Sequence, residues 1–175
     1  MQNMAGLESF IRDIPDFPKK GILFKDITPL LRDAGALAQT IEALAEHHRG
    51  DRIDAVAAVE SRGFIFGCAL ALELKAGFIP MRKPGKLPYR TVSESYSLEY
   101  GADSIHVHDD AIQKGDRILV VDDLLATGGT SSAAINLVAR LGGEVVGASF
   151  IIELSFLGGR ARLGSVPVFA LINYE

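Results

Sequence analysis

The segment RILVVDD, from Arg117 to Asp123, places the tightest constraint on the fold of this chain. Its apolar residues run without alternation, as they do in a strand that is buried on both faces of a sheet. The segment LLATGGT follows directly, and a helical pattern begins at about Ser131. A buried strand that leads into a helix is typical of a βαβ unit, which needs a parallel neighbour and helices on both faces of the sheet.

The same alternation of short apolar runs and helical periodicity extends over the rest of the chain. Further strands are predicted at 53–59, 77–81, 145–153 and 168–174, and helices at 34–48, from about 64 to about 74 and over 131–141. Asp33 stands at the N-cap position of the first helix, and Thr28-Pro29 predicts a shorter turn with Thr28 as its cap. No repeat or linker interrupts the pattern. We therefore expect one α/β domain over 1–175, with a central, mostly parallel sheet flanked by helices.

Length and composition exclude several classes of protein. The 175 residues include 18 Lys+Arg against 22 Asp+Glu, a formal charge of −4, whereas nucleic-acid binders usually carry a basic face. One cysteine excludes a disulfide framework and fits a reducing compartment. The longest apolar stretch without a charge, Gly63 to Leu72, is shorter than the roughly 20 residues of a spanning helix, and early charges predict no signal peptide. We expect a cytoplasmic protein that binds neither nucleic acid nor membranes.

Two polar loops, at 60–63 and 122–130, follow predicted strands, where parallel sheets collect their ligands. In the second loop, Asp122 and Asp123 end a strand, so that two carboxylates project from a fixed edge. Ala126 to Thr130 then supplies two glycines and two hydroxyls at a helix N-terminus, where backbone N–H groups bind anions without Lys or Arg. The pattern predicts a phosphate site whose carboxylates reach sugar hydroxyls or a hydrated Mg²⁺.

The segment VVDDLLATGGTSSA resembles the phosphoribosyl-pyrophosphate-binding motif of the type I phosphoribosyltransferases. Three more segments are similar to those of the adenine phosphoribosyltransferases: IPDFPKKGILFKDITPLL at 14–31, ESRGFIFG at 60–67 and RKPGKLPYRTVSESYSLEYG at 82–101. The four motifs stand in the family's order and cover nearly the whole chain. The resemblance implies the type I phosphoribosyltransferase fold, with a small hood formed largely by residues 1–33 and a mobile catalytic loop at 82–101.

The resemblance implies that N9 of adenine takes the 5-phosphoribosyl group of phosphoribosyl pyrophosphate, giving AMP and pyrophosphate in purine salvage. It also implies a homodimer, and Mg²⁺ held mainly through substrate oxygens with no direct protein ligand. Two alternatives stay open: transfer to another purine base, or a non-catalytic phosphoribosyl-binding regulator. The matches at 14–31 and 95–101 oppose the first alternative, and the lack of a basic face opposes the second.

The resemblance further implies a role for each site residue. The phosphate would lie on the glycine-rich loop, the ribose hydroxyls on the two aspartates, and the pyrophosphate on the basic residues. The expected contacts of phosphoribosyl pyrophosphate or AMP are Arg62, Gly63, Arg82, Lys83, Lys86, Tyr100, Asp122, Asp123, Ala126, Thr127, Gly128, Gly129 and Thr130. Leu23, Phe24 and Lys25 would bind adenine, with the Lys25 contact through side chain or backbone left open. Glu99 would accept the proton that the purine loses as N9 attacks.

Three other features carry no predicted function. Cys68 is expected to be a small buried residue of an apolar helix, and the apolar residues of 64–72 are expected to belong to the core. His106 and His108 fall on one face of a predicted strand, and two histidines without further ligands are weak evidence for a metal site.

Overall fold

The computed structural model describes residues 4–97 and 102–175. Its strands are β1 (Arg12–Pro15), β2 (Leu23–Asp26), β3 (Ala55–Val59), β4 (Gly77–Met81), β5 (Thr91–Ser97), β6 (Ala102–His108), β7 (Arg117–Leu125), β8 (Glu144–Leu154) and β9 (Val168–Tyr174). Its α-helices are α1 (Thr28–Arg32), α2 (Ala34–His48), α3 (Arg62–Leu74) and α4 (Gly129–Arg140), and short 3₁₀ helices cover Met4–Phe10, Ser155–Leu157 and Gly159–Leu163. The strands and helices predicted from periodicity therefore all form, each within two residues of its predicted ends.

Five strands form the central sheet in the order β4-β3-β7-β8-β9. Every neighbouring pair is parallel, so that the carboxyl ends of all five strands lie at one edge. β3 is buried along its whole length, and β8 is buried from its fourth residue on. This burial explains why their sequences are apolar without alternation and confirms the predicted sheet.

Helices cover both faces of the sheet and divide the core in two. Val56 and Ala58 of β3 pack in one cluster with α2 and α3, whereas Ala55 and Ala57 pack in the other with α4. Successive strand residues point to opposite faces, and the buried sheet therefore needs apolar residues at every position. Among the described residues, no helix has the length and apolar character to cross a bilayer.

Two antiparallel pairs lie outside the central sheet. β1 pairs with β2 inside the segment that was predicted to form the hood. β5 pairs with β6, with Thr91 opposite His108 and Ser97 opposite Ala102. The segment 82–101, predicted as a loop, thus contains a strand, and the residues that join β5 to β6 lie outside the described residues.

The prediction that α3 is wholly a core helix is wrong. Phe66 and Leu70 are fully buried, but Ile65 is 42% exposed and Leu72 is 76% exposed. Cys68, predicted to be buried, is exposed on the same side of the helix. An all-apolar helix has no periodicity that distinguishes its core face from its outer face, which is why the sequence could not separate these residues.

The predicted caps of the first two helices have different outcomes. Asp33 caps α2 as predicted, since its carboxylate accepts the N–H of Ala36 at 2.8 Å. Thr28 is not the cap of α1, because Ile27 occupies that position. The carboxylate of Asp26 instead accepts hydrogen bonds from the backbone N–H of Thr28, at 2.9 Å, and from its hydroxyl, at 2.8 Å. At this turn the acceptor is therefore the side chain of Asp26 and not the hydroxyl of Thr28.

Candidate active site

The two polar loops predicted from the sequence meet at the carboxyl edge of the sheet, because β3 and β7 are parallel neighbours. The guanidinium Nε of Arg62, the first residue of α3, lies 3.0 Å from Oδ2 of Asp123. Gly63 lies so close to β7 that a Cβ there would be 2.8 Å from Oδ1 of Asp122. The close approach requires glycine, and it brings one cation against two carboxylates.

The carboxyl groups of Asp122 and Asp123, called the aspartate pair below, are both removed from water by the surrounding protein. Burial raises the pKa of Asp122 well above its ordinary value, and the neighbouring charge of Asp123 raises it further. Asp123 is 5% exposed; burial raises its pKa as well, although the Arg62 guanidinium acts in the opposite direction. An environment that opposes two negative charges is one that favours a positive charge placed between them.

Residues 126–130, called the phosphate loop below, join β7 to α4. Gly128 has a φ of 78° and precedes the first residue of the helix, a left-handed conformation that glycine adopts without a steric penalty. None of the described side chains caps this helix. The first N–H groups of a twelve-residue helix are therefore available to an anion, and the helix dipole favours one there.

The predicted basic residues lie across the edge from the phosphate loop, and each makes a polar contact. Nε of Arg82 donates to Oε2 of Glu60 at 2.9 Å, and the backbone N–H of Lys83 donates to Oε1 at 2.6 Å. Burial acts to raise the pKa of Glu60, but these two hydrogen bonds outweigh it and hold that pKa below its usual range. Arg82 also donates to the backbone carbonyl of Lys86 at 3.2 Å, within the same segment. Residues 82–86, called the basic arm below, are thus held by Glu60 next to the end of β3.

The side chain of Lys83 is bound to β6. Its Nζ forms an ion pair with Asp103, whose carboxylate also accepts from the hydroxyl of Tyr96 at 3.3 Å. The hydrogen bond between Lys83 and Asp103 raises the pKa of the lysine and lowers that of the aspartic acid. This contact joins the basic arm to both strands of the β5–β6 hairpin.

The predicted adenine residues lie on β2. The guanidinium carbon of Arg62 lies 5.2 Å from the centre of the Phe24 ring, so Arg62 contacts both the aspartate pair and this ring. Leu23 is half exposed. The side chain of Lys25 points elsewhere: its Nζ pairs with Asp13 at 2.7 Å and lies 3.7 Å from the ring centre of Tyr174.

The structure thus brings together most of the predicted residues. Arg62 and Gly63 contact the aspartate pair. The prediction that the aspartates end their strand is wrong by two residues, because β7 continues through Leu124 and Leu125 before the phosphate loop begins. Glu99 and Tyr100 lie outside the described residues. Sequence reasoning missed the roles of Glu60 and Asp103, the carboxylates that hold the basic arm. Glu60 directly follows the buried strand β3 and is the first residue of the polar loop predicted at 60–63, a signal that could have identified it, whereas Asp103 gives no signal.

The donor set restricts how a metal ion could be held here. Among the described residues, no group of three or more His, Cys, Asp or Glu side chains is placed to hold a metal ion. The aspartate pair supplies hard oxygen donors, the kind that Mg²⁺ prefers. Two carboxylates suit a hydrated ion that shares its remaining ligands with a substrate.

Comparisons with known proteins identify the family of this chain. The phosphoribosyl transferase domain family matches residues 30–155. The chain is 56% identical over 173 residues to an adenine phosphoribosyltransferase of Acidobacterium capsulatum, covering 99% of this chain and 96% of that protein. Among solved structures, it is similar to the adenine phosphoribosyltransferase of Thermoanaerobacter pseudethanolicus, with 52% identity, a TM-score of 0.96 and coverage of 98% of this chain and 99% of the other.

A second solved structure is informative because of what it contains. The adenine phosphoribosyltransferase of Saccharomyces cerevisiae, complexed with an imino-altritol bisphosphate and adenine, has a TM-score of 0.91 and 41% identity, with coverage of 96% of this chain and 97% of the other. Similarity of this extent, over the fold and nearly the full sequence, shows the family. The chain belongs to the adenine phosphoribosyltransferases, within the phosphoribosyl transferase domain family.

Proposed function

We propose that this chain transfers the 5-phosphoribosyl group from phosphoribosyl pyrophosphate to N9 of adenine, releasing pyrophosphate and AMP. The observation that carries the proposal is the position of Arg62. Its guanidinium lies 3.0 Å from Asp123, at the predicted ribose site, and 5.2 Å from the ring of Phe24, at the predicted base site. One side chain therefore stands where donor and base must meet.

The phosphate loop and the aspartate pair receive the phosphoribosyl half of the donor. The N–H groups of the loop and the hydroxyls of Thr127 and Thr130 bind the 5′-phosphate. Asp122 and Asp123 accept hydrogen bonds from the ribose hydroxyls. When the bond from C1 to the pyrophosphate oxygen breaks, positive charge grows on the ribose ring, and the two carboxylates, whose pKa values are raised by burial, are stabilised by that charge.

The leaving pyrophosphate takes its donors from the opposite side of the edge. Arg62, the N–H of Gly63 and the basic arm supply cations and hydrogen bonds, the arrangement that stabilises a developing polyanion. Mg²⁺ belongs to the proposal as an ion held mainly by substrate oxygens, where it neutralises charge on the pyrophosphate. The electron pair of the broken C–O bond stays on the pyrophosphate, and that of N9 forms the new bond to C1.

Adenine binds against Phe24, which stacks on the purine, with Leu23 beside it. Because the side chain of Lys25 is paired with Asp13 and lies over Tyr174, we assign the reading of the 6-amino group to the backbone around Lys25. The proton that N9 releases passes to Glu99, a carboxylate of the segment between β5 and β6, with Tyr100 beside it. The segment 82–101, which contains β5, covers the substrates in this proposal and keeps water from the ribose.

We further propose that the protein is a homodimer and acts in the cytoplasm. The exposed side of α3, formed by Ile65, Cys68 and Leu72, supports the dimer, since a second copy would remove this apolar surface from water. Leu72→Glu should shift the sedimentation of the protein from dimer to monomer. Leu72→Met, which keeps the surface apolar, should leave the dimer intact; two dimeric variants would refute the assignment of this face.

The proposed location in the cytoplasm is supported by the cysteine content, because a single exposed cysteine suits a reducing compartment.

Base competition tests the proposed reaction. The protein is incubated with Mg²⁺, phosphoribosyl pyrophosphate and each of adenine, hypoxanthine, guanine and xanthine, and the nucleotide is quantified. We expect AMP to form from adenine and no more than about 1% as much nucleotide from the others, because all three carry an oxygen at C6, and a site built to hydrogen-bond a 6-amino group rejects bases that lack it. Removal of Mg²⁺ with a chelator should abolish turnover. Nucleotide from hypoxanthine but not adenine would overturn the assignment.

A further inference from the structure

Gly128 of the phosphate loop is in close backbone contact with a second glycine, Gly159. Gly159, in the segment after β8, packs against the loop so closely that a Cβ there would lie 2.1 Å from the carbonyl oxygen of Ala126 and 3.0 Å from the N of Gly128. The contact is reciprocal, because a Cβ on Gly128 would lie 2.4 Å from the carbonyl oxygen of Gly159. Two stretches of backbone thus touch with no side chain between them.

This contact differs from ordinary packing because neither partner can yield by rotating a side chain. The atoms that a Cβ at 159 would meet belong to the backbone of the phosphate loop. Non-bonded carbon and oxygen atoms do not approach to such distances, so any side chain at 159 must displace one backbone or the other. The position of Gly159 therefore sets one limit on where Ala126 and Gly128 can lie.

An ion pair fixes the segment that carries Gly159. Nε of Arg160 donates to Oε1 of Glu153 at 3.0 Å, and a second guanidinium nitrogen pairs with the other carboxylate oxygen. A third nitrogen donates to the carbonyl of Val168, at the start of β9, at 2.8 Å. A two-point contact between guanidinium and carboxylate restricts orientation as well as distance, so Gly159 is held by a rigid neighbour.

The carboxylate in this pair belongs to the same sheet edge as the phosphate loop. Glu153 is 4% exposed and stands opposite Leu125 in the register of β8 with β7. Leu125 is the last residue of β7 and directly precedes Ala126. The sheet thus connects to the phosphate loop by two routes, along β7 itself and through Glu153, Arg160 and Gly159.

We propose that Gly159, fixed by the ion pair of Arg160 with Glu153, is a positioning residue that sets the phosphate-loop backbone to receive the 5′-phosphate. It acts through Ala126 and Gly128 and does not itself touch the substrate. The inference rests on the proposed function, because it takes the loop to be the phosphate site. Displacement of bound groups by about 1 Å can cost up to about 100-fold in rate, which gives the proposal a measurable size.

The test compares Gly159→Ala with Gly158→Ala. Gly158 has a φ of 65°, but a Cβ there would meet no atom within 4 Å, so that its variant has backbone strain without a clash against the loop. For Gly159→Ala, we expect the KM for phosphoribosyl pyrophosphate to rise about tenfold or more and the KM for adenine to change by less than about threefold. Gly158→Ala should lower the Tm slightly and leave both KM values within about twofold of wild type.

Binding of ribose 5-phosphate, measured by calorimetry, separates the two proposals. This probe has the 5′-phosphate but no pyrophosphate, and Gly159→Ala should weaken it as strongly as it raises the KM of the donor. Should Gly159→Ala fail to fold, Arg160→Lys keeps the charge but not the two-point contact and should give a smaller rise of the same KM, about threefold. A Tm measurement accompanies each variant.

The outcomes are distinct. A wild-type chain that binds ribose 5-phosphate but makes no AMP would overturn the proposed function, and the binding comparison would still decide the role of Gly159. An active wild type with unchanged donor KM and probe affinity in folded Gly159→Ala would overturn this inference alone. Equal effects of Gly158→Ala and Gly159→Ala would also refute it, since strain and not the contact would then be the cause. A wild type that neither turns over nor binds the probe refutes both.

Discussion

The phosphate loop and the basic arm, which we propose bind one polyanionic substrate, are built in opposite ways. The loop holds no charged side chain, and its shape is set by the left-handed turn at Gly128 and the start of α4. In the basic arm, Arg82 is already paired with Glu60 and Lys83 with Asp103. Under the proposed function, the 5′-phosphate would enter a preformed site, whereas the pyrophosphate would have to displace the carboxylates that pair with its cations.

This difference explains how a chain with a formal charge of −4 serves an anionic substrate. Residues 74–93 contain five basic side chains and no acid, whereas 94–123 contain eight acids and two basic side chains. Asp103 and Asp123, from the second stretch, hold Lys83 and Arg62 in the resting protein. Lys83 is 49% exposed at its side chain, and ion pairs of this exposure are weak, so a substrate can exchange for the carboxylate at little cost.

The largest effect should come from a residue that belongs to neither region. Glu99→Gln removes the proposed proton acceptor, and we expect kcat to fall by about 100-fold or more, the usual scale for a general base. The KM for phosphoribosyl pyrophosphate should stay within about threefold, because the contacts of both regions are kept. Steady-state kinetics of AMP formation give both numbers.

Glu94→Gln is the matched control for Glu99. Glu94 lies on β5 in the same hairpin, and its carboxylate accepts from the Asn136 side chain at 3.1 Å on the surface. A glutamine there keeps an acceptor oxygen, and kcat should stay near the wild-type value. A Glu99→Gln variant within a few-fold of wild type would remove this residue from the mechanism.

The next effect tests the acidic side of the comparison. Asp122→Asn should lower kcat/KM by roughly 30-fold, less than the about 100- to 1,000-fold that loss of a preorganised donor costs, because Asp123 remains. The same change should stabilise the folded protein, because burial raises the pKa of Asp122 and thus disfavours its charged form. We expect the Tm at pH 8 to rise by about 2 °C or more, the shift that about 1 kcal/mol gives in a chain of this size.

The pH dependence of this Tm difference follows from the sign of the shift. A carboxyl whose folded pKa lies above its unfolded pKa stabilises the protein when protonated, and this stability is lost as the pH rises through the folded value. The neutral Asn resembles the protonated acid at every pH. The Tm difference between variant and wild type should therefore shrink as the pH falls, and a difference that grows toward acid would contradict the assigned shift.

The basic side should respond more weakly. Lys83→Ala removes one cation from the basic arm and should raise the KM for phosphoribosyl pyrophosphate about tenfold, the equivalent of one charged hydrogen bond. The kcat should change less than the KM, because the phosphate loop still positions the ribose. Lys114 is an exposed lysine that precedes the amino end of β7, away from the site. Lys114→Ala should leave the KM unchanged. An equal rise of the KM in the Lys83 and Lys114 variants would mean that only the net charge of the protein matters.

The sequence predicted the position of residues 126–130 between a buried strand and a helix, but it did not predict the pairing of the basic arm, for a physical reason. β7, the aspartates and the loop are contiguous, and burial of β7 on both faces imposes an apolar run that ends where the carboxylates begin. The pairs of Lys83 with Glu60 and Asp103 join residues more than 19 positions apart on different elements. Chain spacing contains no information on such contacts.

The same reasoning accounts for the errors at α3 and for the missed role of Gly159. The residues of α3 are apolar on both sides, so only the position of the sheet decides that Phe66 is core and Leu72 is surface. Gly159 is one of 18 glycines, and its contact with Ala126 forms between two segments that are brought together by the neighbouring strands β7 and β8. Local pattern predicts elements; contacts between elements require the fold.

The smallest expected effect tests the partner exchange directly. Asp103→Asn leaves Lys83 without its charged partner, so pyrophosphate no longer competes with a carboxylate, and we expect the KM for phosphoribosyl pyrophosphate to fall about threefold at pH 7.5, within the range of an exposed ion pair. Asp109→Asn, which removes the partner of Arg90 at 3.3 Å just beyond β6, should not change this KM. Asp103 also raises the pKa of Lys83, so in the variant the KM should begin to rise at a lower alkaline pH than in wild type. A KM that rises at pH 7.5 would show that Asp103 orients Lys83 for the substrate, and the contrast between a ready loop and a paired arm would then not hold.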